Sequence, residues 1–380
     1  MTGHSSAGRF GAYDLRLYPS VDVAIAGGEK DAQLVSSATL PHRFDWFEAM
    51  ADGNQWWLAV RDLQHRPVAG FSVTVIPTRT LPGHRLLRLE RLRFAPNPGP
   101  AEAAVRYLLD FARRDWRTLS VIVETIFADS IEKNEAIAAL ARAGLRPART
   151  NRTYTHTVRI DLTPETEKLH SNFRATVRRN IRAVTKRPVE ISLVQDSSLA
   201  PRLNEILSET FGRTAGPDVR EKWRALIDYS CAHPVLARLV SLVRTDRTGP
   251  EALVAFALGL NRGDHVEYAT SGSTWPADLR MPLAYALAWD LMQWARSVGA
   301  QWFDFGGIEA DATKDDARKG IHDFKRTFGD EVVEVSQTWS LETRPVRGAW
   351  VREVSRLVER VRQLRRSKSR PSRSENATPG

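Results

Sequence analysis

Apolar residues along this chain recur with two different periods, and the places where the period changes mark its elements. Residues 56–61, 68–77 and 85–94 alternate or run apolar, with Pro82-Gly83 between the last two, and predict an antiparallel meander. Residues 101–114 place Ala104, Val105, Leu108, Leu109 and Phe111 at helical spacing, behind the stiff breaker Pro96-Asn97-Pro98-Gly99-Pro100. A buried strand over 120–126 and a helix over 132–143, closed by Gly144, come next. Residues 1–20 have weak periodicity and several Gly and Ser, which predicts a loosely tied entry segment.

The second half opens with a strand over 155–162. Thr163-Pro164-Glu165 then has the order that starts a helix, basic along much of its length to about residue 187. A strand over 189–194, helices over 200–211 and 219–232, and strands over 236–243, 252–260 and 265–270 follow. A helix over 282–298 ends at Gly299, before a strand over 301–305. The order strand, strand, helix, strand of residues 68–126 recurs over 252–305 with a similar helix-to-strand offset, which suggests one α/β unit used twice.

Length and composition agree with this plan. A chain of 380 residues suggests about two domains, and 42% hydrophobic with 26% charged residues is ordinary for a globular protein. No apolar run approaches the ~20 residues of a membrane helix, and the first residues lack the charged-then-apolar pattern of a secretory signal, so a cytoplasmic protein is expected. The net charge of +10 changes meaning once it is located: residues 344–373 hold eleven Lys or Arg against Glu353 and Glu359, or +9, which leaves +1 for the rest. Residues 350–364 repeat Val and Leu at helical spacing with Arg between them, an amphipathic basic helix. Its apolar stripe is expected to dock on the protein, with peripheral contact to the inner membrane face or RNA as the other reading. Beyond Ser367 the composition predicts disorder. Cys231 is the only cysteine, which excludes an internal disulfide, and a small buried hydrophobe is the expected role. The histidines have no metal-ligand spacing, and no metal is expected. Trp56, Trp57, Trp289 and Trp294 read as core aromatics.

The chemistry concentrates late in the chain. Trp302-Phe303-Asp304-Phe305-Gly306-Gly307-Ile308 runs a strand into two glycines, where a ligand or another strand can approach the main chain closely; a tight turn is the plainer reading. After a polar insert comes Gly320-Ile321-His322-Asp323-Phe324-Lys325-Arg326-Thr327-Phe328-Gly329. These two blocks, in this order, resemble the peptidoglycan interpeptide-bridge (Fem) family, whose second domain carries an Asp-Phe-Gly-Gly strand end and a Gly-Ile-x-x-Phe-Lys-x-x-Phe-Gly stretch. Arg178-x-x-Ile181-Arg182 and Glu209-Thr210 followed by Arg213 are weaker matches upstream. The resemblance covers residues 155–341, while the first half agrees in element order.

The resemblance implies two tandem acetyltransferase-like (GNAT-type) domains of α/β (α+β) class with mixed, mostly antiparallel sheets. The expected divisions are 1–154, 155–343, a basic helix over 344–366 and a disordered tail over 367–380. It also implies transfer of an amino acid from aminoacyl-tRNA, a co-substrate rather than a cofactor, to the stem peptide of a lipid-linked or nucleotide-linked peptidoglycan precursor. A neutral amine attacking an ester requires stabilisation of an oxyanion and an acceptor for a proton. Lys325 is the candidate cation; a solvated Lys is the bland alternative. Asp304 is a candidate proton acceptor or, equally, a structural hydrogen-bond partner of the Gly-Gly turn. Arg213 is the candidate for the precursor's diphosphate, against a plain helix C-terminal Arg. Phe324, Gly306 and Gly307 complete the substrate site, and Arg174, Arg178 and Arg182, on one face, form a candidate tRNA stripe or a solvated face. An acyl-CoA-dependent N-acyltransferase is the nearest rival, although neither 96–101 nor 271–281 shows an Arg/Gln-x-x-Gly-x-Gly loop. A noncatalytic RNA- or membrane-associated protein is the second rival.

Overall fold

The computed structural model describes residues 6–29, 39–94, 97–214, 222–274, 278–279, 282–308, 319–351 and 353–354. The basic terminal helix beyond 354 and the tail therefore lie outside the described residues.

The first unit is an eight-stranded sheet. Its strands are β1 (Ser6–Phe10), β2 (Tyr13–Tyr18), β3 (Gln55–Asp62), β4 (Pro67–Pro77), β5 (Arg85–Leu92), β6 (Thr118–Thr125) and the short β7 (Arg146–Pro147), with one strand from the far end of the chain. Helices α1 (Val21–Ala26) and α2 (Phe44–Met50) cover one face, and α3 (Pro98–Arg114) and α4 (Ser130–Arg142) the other. Residues 98–100, read from sequence as a breaker, form the first turn of α3, because proline at N1 loses no helical bond and Asn97 caps Gly99 N. Residues 6–18 of the entry segment are not loose. β1 and β2 form an edge hairpin, since Leu15 and Leu17 alternate into the core and Tyr107 Oη donates to Ser6 O at 2.8 Å.

The second unit has β8 (His156–Asp161), α5 (Thr166–Asn172), α6 (Ala175–Ala183), β9 (Val189–Leu193), α7 (Ala200–Thr214) and α8 (Trp223–Ala232). Then come β10 (Ala237–Arg244), β11 (Leu253–Asn261), β12 (His265–Ser273), α9 (Ala284–Ser297), β13 (Trp302–Ile308), α10 (Lys319–Phe328) and β14 (Val332–Glu334). The sheet order is β14-β8-β13-β12-β11-β10-β9. The basic segment after 163 is two helices rather than one. Phe173 is extended and buried, and Arg178 Nη1 ties off the break by donating to Ser171 O at 2.7 Å and Phe173 O at 2.9 Å. α6, α9 and α10 pack on one face of this sheet, and α7 and α8 on the other.

The repeated plan holds at the level of pairing. In each unit two antiparallel strands lead into a helix and then a strand parallel to the second of them, β5 with β6 and β12 with β13; every other described pairing is antiparallel. One strand crosses back between the units, β15 (Thr338–Glu342). That strand returns to the first sheet and pairs with β6 and β7, which closes an edge and buries Trp339 in the first core. Cys231, expected to be buried, is exposed on α8. Trp57 and Trp294 are buried, and Trp56 and Trp289 pack against the cores, as read. No helix among the described residues is long and apolar enough to cross a membrane.

Candidate active site at a strand fork

Two parallel strands that stop pairing leave unsatisfied backbone groups facing each other, and the second unit has such a place. β12 and β13 pair only at His265↔Trp302, Val266↔Phe303 and Glu267↔Asp304; beyond that β12 follows β11 and β13 follows β8. The equivalent pair in the first unit stays together from Arg85↔Thr118 to Leu92↔Thr125. The fork, and with it the candidate site, belongs to the second unit alone.

Gly306 sits in the crotch. It has φ +69, the left-handed region that glycine enters without steric cost, and a Cβ there would lie 3.3 Å from Tyr268 O and 3.9 Å from Lys325 Nζ. The register of β13 against β8 slips between Asp304 and Gly307, so Phe305 and Gly306 stand opposite Val158 as a bulge and Gly307 resumes the pairing. Gly307 has a Cβ position only 2.6 Å from the Tyr154 Cβ, so this glycine permits close packing on the linking segment.

Lys325 reaches the fork from α10. Its helix turns His322, Lys325 and Phe328 inward, and Phe328 anchors it by stacking on Tyr285 (centroids 5.4 Å) and packing on Phe305 (4.7 Å). Phe324 joins the same cluster, 5.9 Å from Phe305 and 6.4 Å from Tyr268. Lys325 is 9% exposed and its Nζ donates to Gly307 O at 2.6 Å. Burial lowers its pKa to about 8, against the opposing pull of Asp304 and Glu267. The result is a mostly charged, poorly hydrated ammonium at neutral pH.

Asp304, fully buried, accepts from Gly306 N at 2.7 Å and lies 2.5 Å from Thr157 Oγ1, both through Oδ1. Its Oδ2 has no hydrogen-bond partner among the described residues and is 4.0 Å from Arg159 Nε. Oδ1 thus makes the hydrogen bond to the turn that one of the two sequence readings of Asp304 expects.

Behind Asp304 lies a polar network that crosses between the units. Glu267, 4% exposed, accepts from Arg91 Nη2 at 2.5 Å and Tyr154 Oη at 2.9 Å on one oxygen, and from Arg262 Nε at 2.9 Å and Nη2 at 2.6 Å on the other. Burial alone raises its pKa, but Arg91 and then Arg262 overturn that and hold the carboxyl well below its ordinary range. Arg91 comes from the first unit, at the irregular end of β5, with φ +52. Arg159 Nη1 and Nη2 donate back to Ala128 O and Phe127 O of that unit, at 2.7 and 3.2 Å.

Lys325, Phe324, Asp304, Gly306 and Gly307, the residues predicted for the site, thus converge. The Arg213 side chain lies outside the described residues; its backbone is in the last turn of α7, after Thr210, whose hydroxyl accepts from Ser273 N at 3.0 Å where β12 ends. Arg174 pairs with Asp330, Arg178 holds the α5–α6 break, and Arg182 is exposed. α6, which carries Arg178 and Arg182, packs beside α10. The sequence reading missed Thr157, Arg159, Tyr154, Glu267 and Arg91. The available signal was that Glu267 and Asp304 each interrupt an apolar strand, and they prove to be direct cross-strand neighbours.

An acetyltransferase (GNAT) domain model matches residues 171–326, the stretch that contains the fork and Lys325. No protein with a curated description matches the sequence. Among solved structures, FemX superposes with TM-score 0.66 at 13% identity over 86% of this chain and 98% of that one. L-PGS from Bacillus licheniformis superposes with TM-score 0.53 at 12% identity, over 87% of this chain and 95% of that one. The chain has the Fem-type fold, two acetyltransferase-like units in tandem, and its acetyltransferase (GNAT) match lies in the second.

Proposed function

We propose that the fork is an acyl-transfer site and that the protein moves an amino acid from aminoacyl-tRNA to an amine on the stem peptide of a peptidoglycan precursor. The observation that carries this reading is the Lys325 ammonium, buried in an aromatic setting and held on Gly307 O beside Gly306. The resemblance of the two motif blocks to the Fem family, with the likeness in fold to FemX, supports an aminoacyl donor in this reading.

In the reaction the amine nitrogen of the acceptor forms a bond to the ester carbonyl carbon, and the carbonyl oxygen becomes an oxyanion. Lys325 has three donors, and Gly307 O takes one, which leaves the ammonium able to bind that oxygen. Collapse breaks the ester C–O bond, and the leaving ribose oxygen takes up the proton lost by nitrogen. Asp304 and Thr157 hold the bulge at Gly306 in place. Under this reading Arg213 grips the precursor's diphosphate, and Arg174, Arg178 and Arg182 follow tRNA phosphates, with Arg174 and Arg182 exposed. The reaction takes place in the cytoplasm and uses no cofactor.

The test is transfer of labelled amino acids from a charged tRNA pool to lipid-linked and nucleotide-linked precursor, with acetyl-CoA as a parallel donor. tRNA-dependent labelling that disappears in Lys325→Met supports the reading. Labelling from acetyl-CoA alone replaces the donor and leaves the acyl-transfer site standing.

A further inference from the structure

An exposed aromatic and basic surface lies at the end of the first sheet remote from the fork. Trp116, in the turn between α3 and β6, is 54% exposed. Its ring meets His84 edge-on at 5.1 Å and lies under two guanidiniums, Arg117 at 5.2 Å and Arg347 at 6.0 Å. The helical residues 345–351 bring Val346, 82% exposed, and Trp350, 52% exposed, one turn apart on the same side. Arg344 Nη2 donates to Arg113 O at 2.8 Å, which fixes this helix to the end of α3. The nearby carboxylates are occupied, Asp110 by Arg114 and Asp115 by Arg85. β6 begins beside Trp116 and ends at Thr125, next to the interunit contacts, so at ~3.3 Å per residue the surface stands about 23 Å from that end.

We propose that this surface seats the protein on an anionic lipid bilayer. Tryptophan favours the headgroup level, where its ring is partly buried and its N–H stays wet, and Arg stems run along apolar surface with the guanidinium toward phosphate. The described cations are placed accordingly: Arg117 and Arg347 lie over the Trp116 ring, and Arg344 stands at the start of the helix that carries Val346 and Trp350. A nucleic-acid face would use the same cations and rings, but it has no use for an aliphatic residue as exposed as Val346, whereas a bilayer interface does.

The experiment is cosedimentation of the full chain with phosphatidylcholine vesicles, with and without phosphatidylglycerol. Wild type binds the anionic vesicles and is released by salt. Trp116→Ser, Val346→Ser and Trp350→Ser combined weaken that binding at least about tenfold, with the thermal transition unchanged because all three are exposed. Arg117→Ser with Arg347→Ser weakens it and flattens its salt dependence. Anionic-vesicle binding by the aromatic variant equal to wild type overturns the proposal, as does equal binding to both vesicle types. So does a wild type that ignores vesicles yet binds duplex RNA in a Trp116-dependent way.

Discussion

Glu267→Gln changes one oxygen for an amide group and removes one charge, and the structure indicates what that costs. Wild-type Glu267 accepts two hydrogen bonds on each oxygen, from Arg91 and Tyr154 and from Arg262, while only 4% exposed. In the glutamine variant the new NH2 points donors at the donors of either Arg91 or Arg262, and both guanidiniums lose their counter-charge. Removing one partner of a buried ion pair typically costs about 3–5 kcal/mol. For a cooperative unit of this size that lowers Tm by about 6–20 °C, at roughly 2–4 °C per kcal/mol. The pH dependence adds a second signature. A carboxyl held below its ordinary pKa contributes stability above the unfolded value, about 4.3, and loses it as pH falls from there toward the folded pKa. The gap between wild type and variant is therefore widest near neutrality and narrows below about pH 4. Denaturant unfolding of both proteins across this range measures it. A gap under about 1 kcal/mol at pH 7, or one independent of pH, would refute the view that Glu267 locks the two units.

Lys325→Met lowers transfer about 10²–10³-fold, the usual effect of losing one oxyanion donor, without loss of stability, because it removes a buried cation. Wild-type activity falls as pH rises through about 8, where the ammonium deprotonates, and an alkaline limb unmoved in Lys325→Arg argues against this titration. Gly306→Ala costs about 1–2 kcal/mol in equilibrium unfolding, from positive φ and crowding on Tyr268 O; a neutral result contradicts the bulge geometry. Thr157→Val removes the hydroxyl beside Asp304 and costs about 1–3 kcal/mol, together with activity, since the bulge at Gly306 loses a tie. Arg182→Glu weakens tRNA binding and reduces its salt slope by about two charges' worth; an unchanged slope removes Arg182 from the stripe.

The sequence by itself determined the elements that have strong periods of their own. The helices α3, α4, α7 and α9 and the strands β4, β5, β11 and β12 follow from local patterns, as does the repeat. Lys325 and the strand end at Gly306-Gly307 were legible because two motif blocks lie close in the chain. Three features depended on partners far away in sequence. β15 is an unremarkable five-residue run whose place is set by the open edge of β6, over 200 residues earlier. The break at Phe173 exists because that ring packs on Trp289 and Phe328, which the basic pattern of 166–187 does not reveal. Arg91, Tyr154 and Glu267 meet only where the two units touch, and Thr157 meets Asp304 only across the pairing of β8 with β13. A buried charge is tolerated where its counter-charge is placed, and that placement is a property of the tertiary structure, which no local pattern of residues encodes.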